Sequence, residues 1–340
     1  LGGCASRTPV AVAGIGGAGF FAGPDRRSVL LPQTSSKAGS LPGVGRGGLN
    51  AFTVDFCCNL NDFGGVSLQI SLPELSQILP GLGLAILISA LAYRLHTLSK
   101  SGAIAAVALG TVVFGLGGLE WAALLLGFFI SSSGLSRLFK QRKARFDEKF
   151  SKGSRRDAGQ VLANGGVAGL FVILHLFFPE AIWPWLGCAG ALAAANADTW
   201  ATELGVLSPR PPRLLTNWRV VEQGSSGAIS LVGTLAALGG SLGIALIAAS
   251  FWPTAQVQWL WVGGISLAGL LGSLVDSYLG ATLQAIYHCP LCSKETERHP
   301  VHTCGTSTRQ VRGLGWLGND WVNTACTLAG GLLASLPGLL

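Results

Sequence analysis

Methionine is missing from all 340 residues, position 1 included, so the chain reads as a fragment or a processed form. Charge is scarce as well. Lys, Arg, Asp and Glu make up 11% of the sequence, less than half the roughly 25% of a soluble domain. That scarcity excludes an ordinary water-soluble globule. No Gly-x4-Gly-Lys-Ser/Thr run occurs, which excludes a Walker phosphate loop. Gly-x-Gly-x-x-Gly does occur, starting at Gly14, Gly43 and Gly313. Two of these lie in the N-terminal stretch and the third follows no predicted strand, so all three are by-products of 49 glycines. No nucleic-acid partner is expected.

What remains is apolar. Hydrophobic residues are 49% of the chain and the mean hydropathy is +0.51. Abundant glycine fits membrane helices, where small residues let backbones approach closely. The expected fold is therefore all-α: a polytopic membrane bundle of seven or eight transmembrane helices behind a disordered N-terminal leader. Residues 1–65 are rich in Gly, Ala, Ser and Pro. The first fifty carry Arg7, Arg26, Arg27, Lys37 and Arg46 against Asp25 alone. Basic, Ser-containing and acid-poor is the composition of a transit peptide, with a plastid as its destination. Residues 66–340 form the membrane domain. Its predicted helices are 77–95, 102–118, 120–135, 161–178, 181–204, 227–251, 257–283 and 321–338, several near the ~20 residues that span a bilayer.

The connections divide by charge. Segments 94–100, 136–160, 205–226 and 284–320 hold the Lys and Arg residues of the core. Segments 118–121, 178–184 and 251–258 hold none, and carry Trp121, Trp183 and Trp252, with Trp185 just beyond. Basic loops mark the cytoplasmic or stromal face and Trp marks the interface. An eight-helix count makes the two sets alternate and puts both ends of the core on the Trp side.

One stretch organises the rest: Ala195-Asn196-Ala197-Asp198-Thr199-Trp200-Ala201-Thr202-Glu203-Leu204-Gly205. On a helix, Asn196, Asp198, Thr199, Thr202 and Glu203 share one arc of roughly 160°. Acids at the end of a membrane helix are costly unless they face protein or water, and so point to a site. Other segments on the basic face repeat the pattern. The loop 137–157 has nine basic residues and three acids, partly a topology signal and a lipid-headgroup attractor. It ends at Lys152, Arg155 and Arg156, and Asp157, Gln160 and Asn164 then stripe one helix face. Cations beside a carboxylate and amides suit a phosphate with its metal. The turn Gly224-Ser225-Ser226-Gly227 opens a predicted helix and exposes backbone N–H groups to an anion, or serves as an ordinary cap. Asp276 sits late in an apolar helix, either as a structural acid or as part of the site. Asn319, Asp320 and Asn323 fall within roughly 100° of one another on a helix face.

Three of the eight cysteines cluster with histidines. Cys289-Pro-Leu-Cys292 precedes His299-Pro-Val-His302-Thr-Cys304. Residues 288–305 thus form a zinc-binding loop or a set of reduced thiols; Cys289, Cys292, His302 and Cys304 would close a structural Zn²⁺ site.

Lys-Gly-x-x-Arg-Asp-x-x-Gln-Val-x-Ala-Asn-Gly-Gly (152–166), Ala-x-Ala-Asp-Thr-Trp-Ala-Thr-Glu-Leu-Gly (195–205), Gly-x-x-Gly-x-x-Ser (224–230) and Asn-Asp-x-Val-Asn (319–323) resemble, in order, an integral membrane family. That family contains the phytyl-phosphate kinase of the vitamin E pathway and transmembrane protein 19. The resemblance covers about 75–330. It implies phosphoryl transfer from CTP or another NTP to an isoprenyl monophosphate, giving phytyl diphosphate for tocopherol synthesis. Under it, Lys152, Arg155 and Arg156 would hold phosphates. Asp157, Asp198, Glu203 and Asp320 would be the catalytic acids, with Asp198 and Glu203 first among the Mg²⁺ ligands. Asn164, Asn196 and Asn323 would orient substrate, alongside Gln160, Thr199, Gly224, Gly227 and Asn319. The bilayer would deliver the prenyl chain laterally, and the plastid envelope or thylakoid would be the membrane. Two other readings stand beside this one: a transporter, whose acids would lie near the midplane, and a scaffold without catalysis.

Overall fold

The computed structural model describes residues 52–53, 71–72, 75–139, 155–251 and 258–339. Most of the transit-peptide stretch and most of the basic loop, Lys152 included, lie outside the described residues. A two-residue pair, β1 (Phe52–Thr53) with β2 (Ser71–Leu72), precedes the bundle. The helices are α1 (Leu75–Arg94), α2 (Lys100–Leu138), α3 (Ala158–Phe177), α4 (Trp183–Gly205), α5 (Leu231–Ser250), α6 (Gln258–Thr282) and α7 (Asn319–Ser335).

Helix α2 is 39 residues long, about 58 Å if straight and nearly twice the ~30 Å hydrocarbon core. It does not run straight. Gly118 takes φ 79°, ψ −164°, a conformation that only glycine adopts cheaply, and the chain turns back there. Both ends of α2 therefore reach one face. Ser99, its N-cap, donates its backbone N–H to Arg156 O at 2.9 Å, and Arg137 at the other end donates to Leu95 O. The predicted pair 102–118 and 120–135 is this hairpin, so the described residues hold eight helical segments when α2 is counted as two. Five of the helices, α1, α2, α3, α5 and α6, are long and apolar enough to span a bilayer.

Burial runs opposite to that of a soluble protein. Leu79, Leu87, Leu231, Leu235 and Leu260 face outward and are exposed, as a lipid-facing surface requires. The interior is made of small residues. Helix α4 is the central element, packed against α2, α3, α5, α6 and α7, and Leu186–Ala197 is buried without a break. Contacts between helices are tight: a Cβ added to Gly190 would lie 2.4 Å from Gly330 O on α7. With lipid as apolar as leucine, such close packing replaces the hydrophobic effect as the force between helices.

Polar caps gather on the basic face. Ser99 caps α2 through Gly102 N–H, and Ser230 caps α5 through Gly233 N–H, both at 3.1 Å. Asp157 and Gln160 form a capping box on α3, with bonds of 3.0 and 3.2 Å. The helix predicted from 227 begins instead at Leu231. The Gly224–Gly227 turn and the short pair β3 (Arg213–Leu214) with β4 (Ala228–Ile229) occupy the preceding residues. A three-stranded antiparallel sheet, β6 (Lys294–Thr296), β5 (Ile286–Cys289), β7 (Arg309–Arg312), stands on the same face. An all-helical expectation omits these small sheets because they are loop structure, too short to carry an alternating pattern. On the far face, Trp121 and Trp185 do not form an outward belt. They pack edge to face at 5.0 Å, and Trp121 is buried.

Candidate functional site

The last two turns of α4 open into a cavity of about 280 Å³ at the basic face. Five other helices and three loops complete its wall. Arg156 comes from the segment before α3, and Gln160 and Asn164 from α3 itself. Asp198, Thr199, Thr202 and Glu203 come from α4, the turn Gly224–Gly227 from the loop before α5, and Asp276 from α6. Asn319 and Asn323 come from the start of α7. The structure thus brings together ten of the residues singled out as site residues by their sequence, from four separate motifs. Asp276 joins them.

Local structure explains each placement. Arg156 is fixed by its backbone, which donates to Thr97 O at 3.0 Å and accepts from Ser99 N–H at 2.9 Å. Its guanidinium lies 5.4 Å from the centre of the Phe128 ring. Burial pushes its pKa down to about 10, and the nearby Glu203 carboxylate works against that fall. It therefore remains a cation at neutral pH. Glu203 is buried and accepts a 2.7 Å hydrogen bond from Ser136 Oγ. Gly224 and Gly227 hold φ of 77° and 76°, left-handed values that let the tight turn form, and the turn lines the cavity. The turn is locked from behind: Ser226 Oγ meets Gln284 Oε1, and Gln284 donates to Glu297 Oε1 at 2.9 Å. Glu297, from the residues following β6, also lines the cavity. The carboxylates of Asp198 and Glu297 both act electrostatically on Asp276. Asp276 Oδ2 is buried without a hydrogen-bond partner among the described residues.

Not every sequence-predicted residue reaches the cavity. Asn196 is buried in the bundle, where its amide donates to Gly240 O at 2.8 Å and its carbonyl accepts from Ser131 Oγ at 2.8 Å. It ties α4 to α5 and α2, because an amide that deep must be satisfied by neighbouring helices. Asp157 caps α3 instead of lining the wall, and Arg155 is exposed. Asp320 sits in the first turn of α7 and is not a wall residue. Sequence reasoning missed Ser136, Ser226 and Glu297. The two serines carry no signal apart from their position, and Glu297 sits in a polar loop among other acids and bases.

A second, apolar cavity of about 70 Å³ lies between α1, α2 and α3. Ile88, Leu109, Phe114 and Phe129 are among its walls. It shares Arg156, Gln160 and Asn164 with the polar cavity, so the two meet at those three side chains. The cysteine cluster stands apart. Cys289, Cys292, His302 and Cys304 place one donor atom each within 4.8 Å of the others, and none of the four lines either cavity.

Known proteins agree with this architecture. Over 277 residues the chain is 34% identical to Protein PGR of Arabidopsis thaliana, covering 74% of this chain and 94% of that protein. It is 31% identical to an uncharacterized membrane protein of Methanocaldococcus jannaschii, covering 70% and 85% of the two chains. Similarity extends at 25% identity to Protein VTE6, chloroplastic, of Arabidopsis thaliana, covering 70% and 65%. No solved structure matches the chain significantly. Residues 83–331, which hold every wall of the polar cavity, match the model of the integral membrane protein family DUF92, and the chain is a member of that family, the one to which its motifs pointed.

Proposed function

We propose that this protein is a lipid-phosphate kinase that transfers the terminal phosphoryl group of CTP or another NTP to phytyl monophosphate, producing phytyl diphosphate for tocopherol synthesis. The observation that carries the reading is the junction of the two cavities. The apolar cavity between α1, α2 and α3 suits part of a prenyl chain, and where it meets the polar cavity Arg156, Gln160 and Asn164 offer a cation and amide groups to a phosphate. Past that point the wall turns acidic. The Gly224–Gly227 turn, the second candidate anion-binding element, lines the same space.

The chemistry needs little beyond positioning and charge. An oxygen of the acceptor phosphate attacks the γ-phosphorus. The bond from that phosphorus to the β–γ bridging oxygen breaks, and the nucleoside diphosphate leaves with the electron pair. The acceptor oxygen is already ionised, so no base is required. Arg156 holds the acceptor phosphate, and Glu203 with Ser136 holds Arg156. The amides of the 224–227 turn bind the donor's phosphates. Asn319 and Asn323 orient the donor from α7.

Asp276, whose buried Oδ2 has no hydrogen-bond partner among the described residues, lies within the electrostatic reach of Asp198 and Glu297, and such a set fits a hard divalent cation. Asp198, Asp276 and Glu297 are the residues that would hold Mg²⁺. Bound there, it would neutralise charge on the transferring phosphates. Glu203 serves Arg156 instead, and Asp157 serves as a cap. A plastid membrane is the proposed location, on the composition of the N-terminal stretch and on the chloroplastic relative.

The test is direct. Protein purified in mild detergent receives labelled CTP, Mg²⁺ and phytyl phosphate, and phytyl diphosphate is measured. Wild type is expected to make it, and Asp198→Ala and Asp276→Asn are expected to lose it. Absence of product with wild type across the four common NTPs, or full activity in both variants, refutes the assignment.

A further inference from the structure

The segment Ile286–Arg312 lies on the basic face with a small apolar interior, in which Ile286, Tyr287 and Cys289 of β5 are buried. Leu291, Val301 and Val311 are exposed, and most side chains of β6 and β7 face outward. Backbone pairing of β5 with β6 and β7 gives it a frame. Yet three short strands with so few buried apolar side chains are below what burial alone stabilises. Something else must hold its two tips together.

Those tips converge on one point. Cys289 ends β5 and Cys292 sits on the turn that follows, closed by Ser293 N–H to Cys289 O at 2.9 Å. His302 and Cys304 occupy a second turn, closed by Gly305 N–H to His302 O at 2.9 Å. Across the gap, Cys289 Sγ lies 3.5 Å from Cys304 Sγ. His302 Nδ1 lies 3.2 Å from Cys304 Sγ and 3.6 Å from Cys292 Sγ. A zinc tetrahedron with Zn–S near 2.3 Å and Zn–N near 2.0–2.1 Å has edges of about 3.8 Å for S···S and about 3.5 Å for S···N. The three observed edges match within a few tenths of an ångström. Each pair comes from its own tight turn, so the spacing is set by backbone and not by chance rotamers. Two cysteines three apart on one turn, with His and Cys two apart on another, make a closed set of four with no position left for a substrate.

We propose that Cys289, Cys292, His302 and Cys304 bind one structural Zn²⁺ that staples the β5–β6 hairpin to the following turn. The staple has a consequence for the main cavity. Glu297 lies between the two ligand pairs, and it accepts from Gln284, which is bonded in turn to Ser226. Zinc therefore fixes the loop that supplies the outermost carboxylate of the cavity wall, from a distance and without touching substrate.

The experiment is metal analysis of the full chain, purified in detergent without chelator and quantified by inductively coupled plasma mass spectrometry. Near one zinc per chain is expected, with Cys292→Ser and His302→Ala retaining almost none and His302→Cys retaining it. Blocking the thiols of wild type with a mercurial should release the zinc to a chromogenic chelator, which checks the site without any variant that fails to fold. Cobalt exchanged into the wild type should show the intense visible bands of a tetrahedral thiolate site. Wild type without zinc, another metal in its place, or undiminished zinc in the double variant Cys289→Ser/Cys304→Ser overturns the assignment. None of these readouts depends on kinase turnover, so failure of the kinase reading leaves the zinc result standing, and the reverse.

Discussion

Replacing Asn196 by alanine separates a binding role from a structural one. The side chain makes two interhelical hydrogen bonds, to Gly240 O on α5 and from Ser131 Oγ on α2. Simple desolvation in hydrocarbon would put the loss at several kcal/mol for each orphaned group. Measured membrane values are lower, about 0.6 kcal/mol on average and about 1.7 at most, because the unfolded chain in the membrane also finds partners. The membrane figure is the relevant one, and two bonds give about 1–3 kcal/mol. The void left behind adds about 1 kcal/mol. Asn196→Ala should therefore lose about 2–4 kcal/mol in reversible unfolding in mixed detergent micelles. Ser131→Ala, which removes one of the two bonds, should lose no more than about 1.7 kcal/mol. At a temperature where all three proteins are folded, KM for both substrates should be unchanged. A variant with native stability and a raised KM would refute this reasoning and return Asn196 to the substrate site.

Gly227→Ala should abolish donor binding: its Cβ would lie 2.1 Å from Ala281 N while φ stays at 76°, so the turn must leave the end of α6. Isothermal titration with a non-hydrolysable nucleotide measures this, and native affinity would count against the turn as a phosphate cradle. Arg156→Ala should raise KM for the lipid phosphate by roughly ten- to a hundredfold, as expected for loss of a charge-assisted hydrogen bond of about 1.5–3 kcal/mol, while Arg155→Ala should change it little. Gly190→Val should prevent assembly of α4 against α7, seen as aggregation in size-exclusion chromatography, because Gly330 O occupies the space a Cβ would need. Trypsin added to sealed vesicles should cut the core from the basic face alone, since segments 118–121, 178–184 and 251–258 contain no Lys or Arg; cleavage within the core from both sides would break the eight-crossing topology.

The parts of this design that are visible in the sequence are those set by local rules. Helix spans follow from uninterrupted apolar length, and orientation follows from where Lys and Arg fall. Even the reversal in α2 is marked, by Gly117-Gly118 between two apolar runs. The polar wall is visible because an acid or amide near the end of an apolar helix is too costly to leave facing lipid: Asp198, Asp276, Asn319 and Asn323 all reach the cavity. What the sequence hides is depth. Asn196 and Asp198 are two residues apart on one arc, yet the first is satisfied by a carbonyl on α5 and the second opens into the cavity. Only the position of α5 decides that. Glu297 is hidden for a different reason. Its place depends on how the long loop between α6 and α7 returns to the membrane face, and no periodicity encodes that path.

The location of the polar groups also bears on the proposal of an enzyme at a mouth against that of a path through the bilayer. From Leu186 to Ala197 the central helix α4 is buried by its neighbours, and its only strongly polar side chain there, Asn196, is consumed by helix-to-helix bonds. The far half of the bundle is sealed further by Trp121 and Trp185 packed together and by Phe171 beside Trp183. Polar side chains become available on α4 only from Asp198 onward, where the cavity starts. A transporter needs its binding groups reachable in turn from each side, near the midplane. Here the acids, amides and Arg156 line one cavity at the basic face, and Arg156, Gln160 and Asn164 also line the apolar cavity between α1, α2 and α3. In the proposed reaction the polar cavity would receive the water-soluble nucleotide and the apolar one part of the prenyl chain.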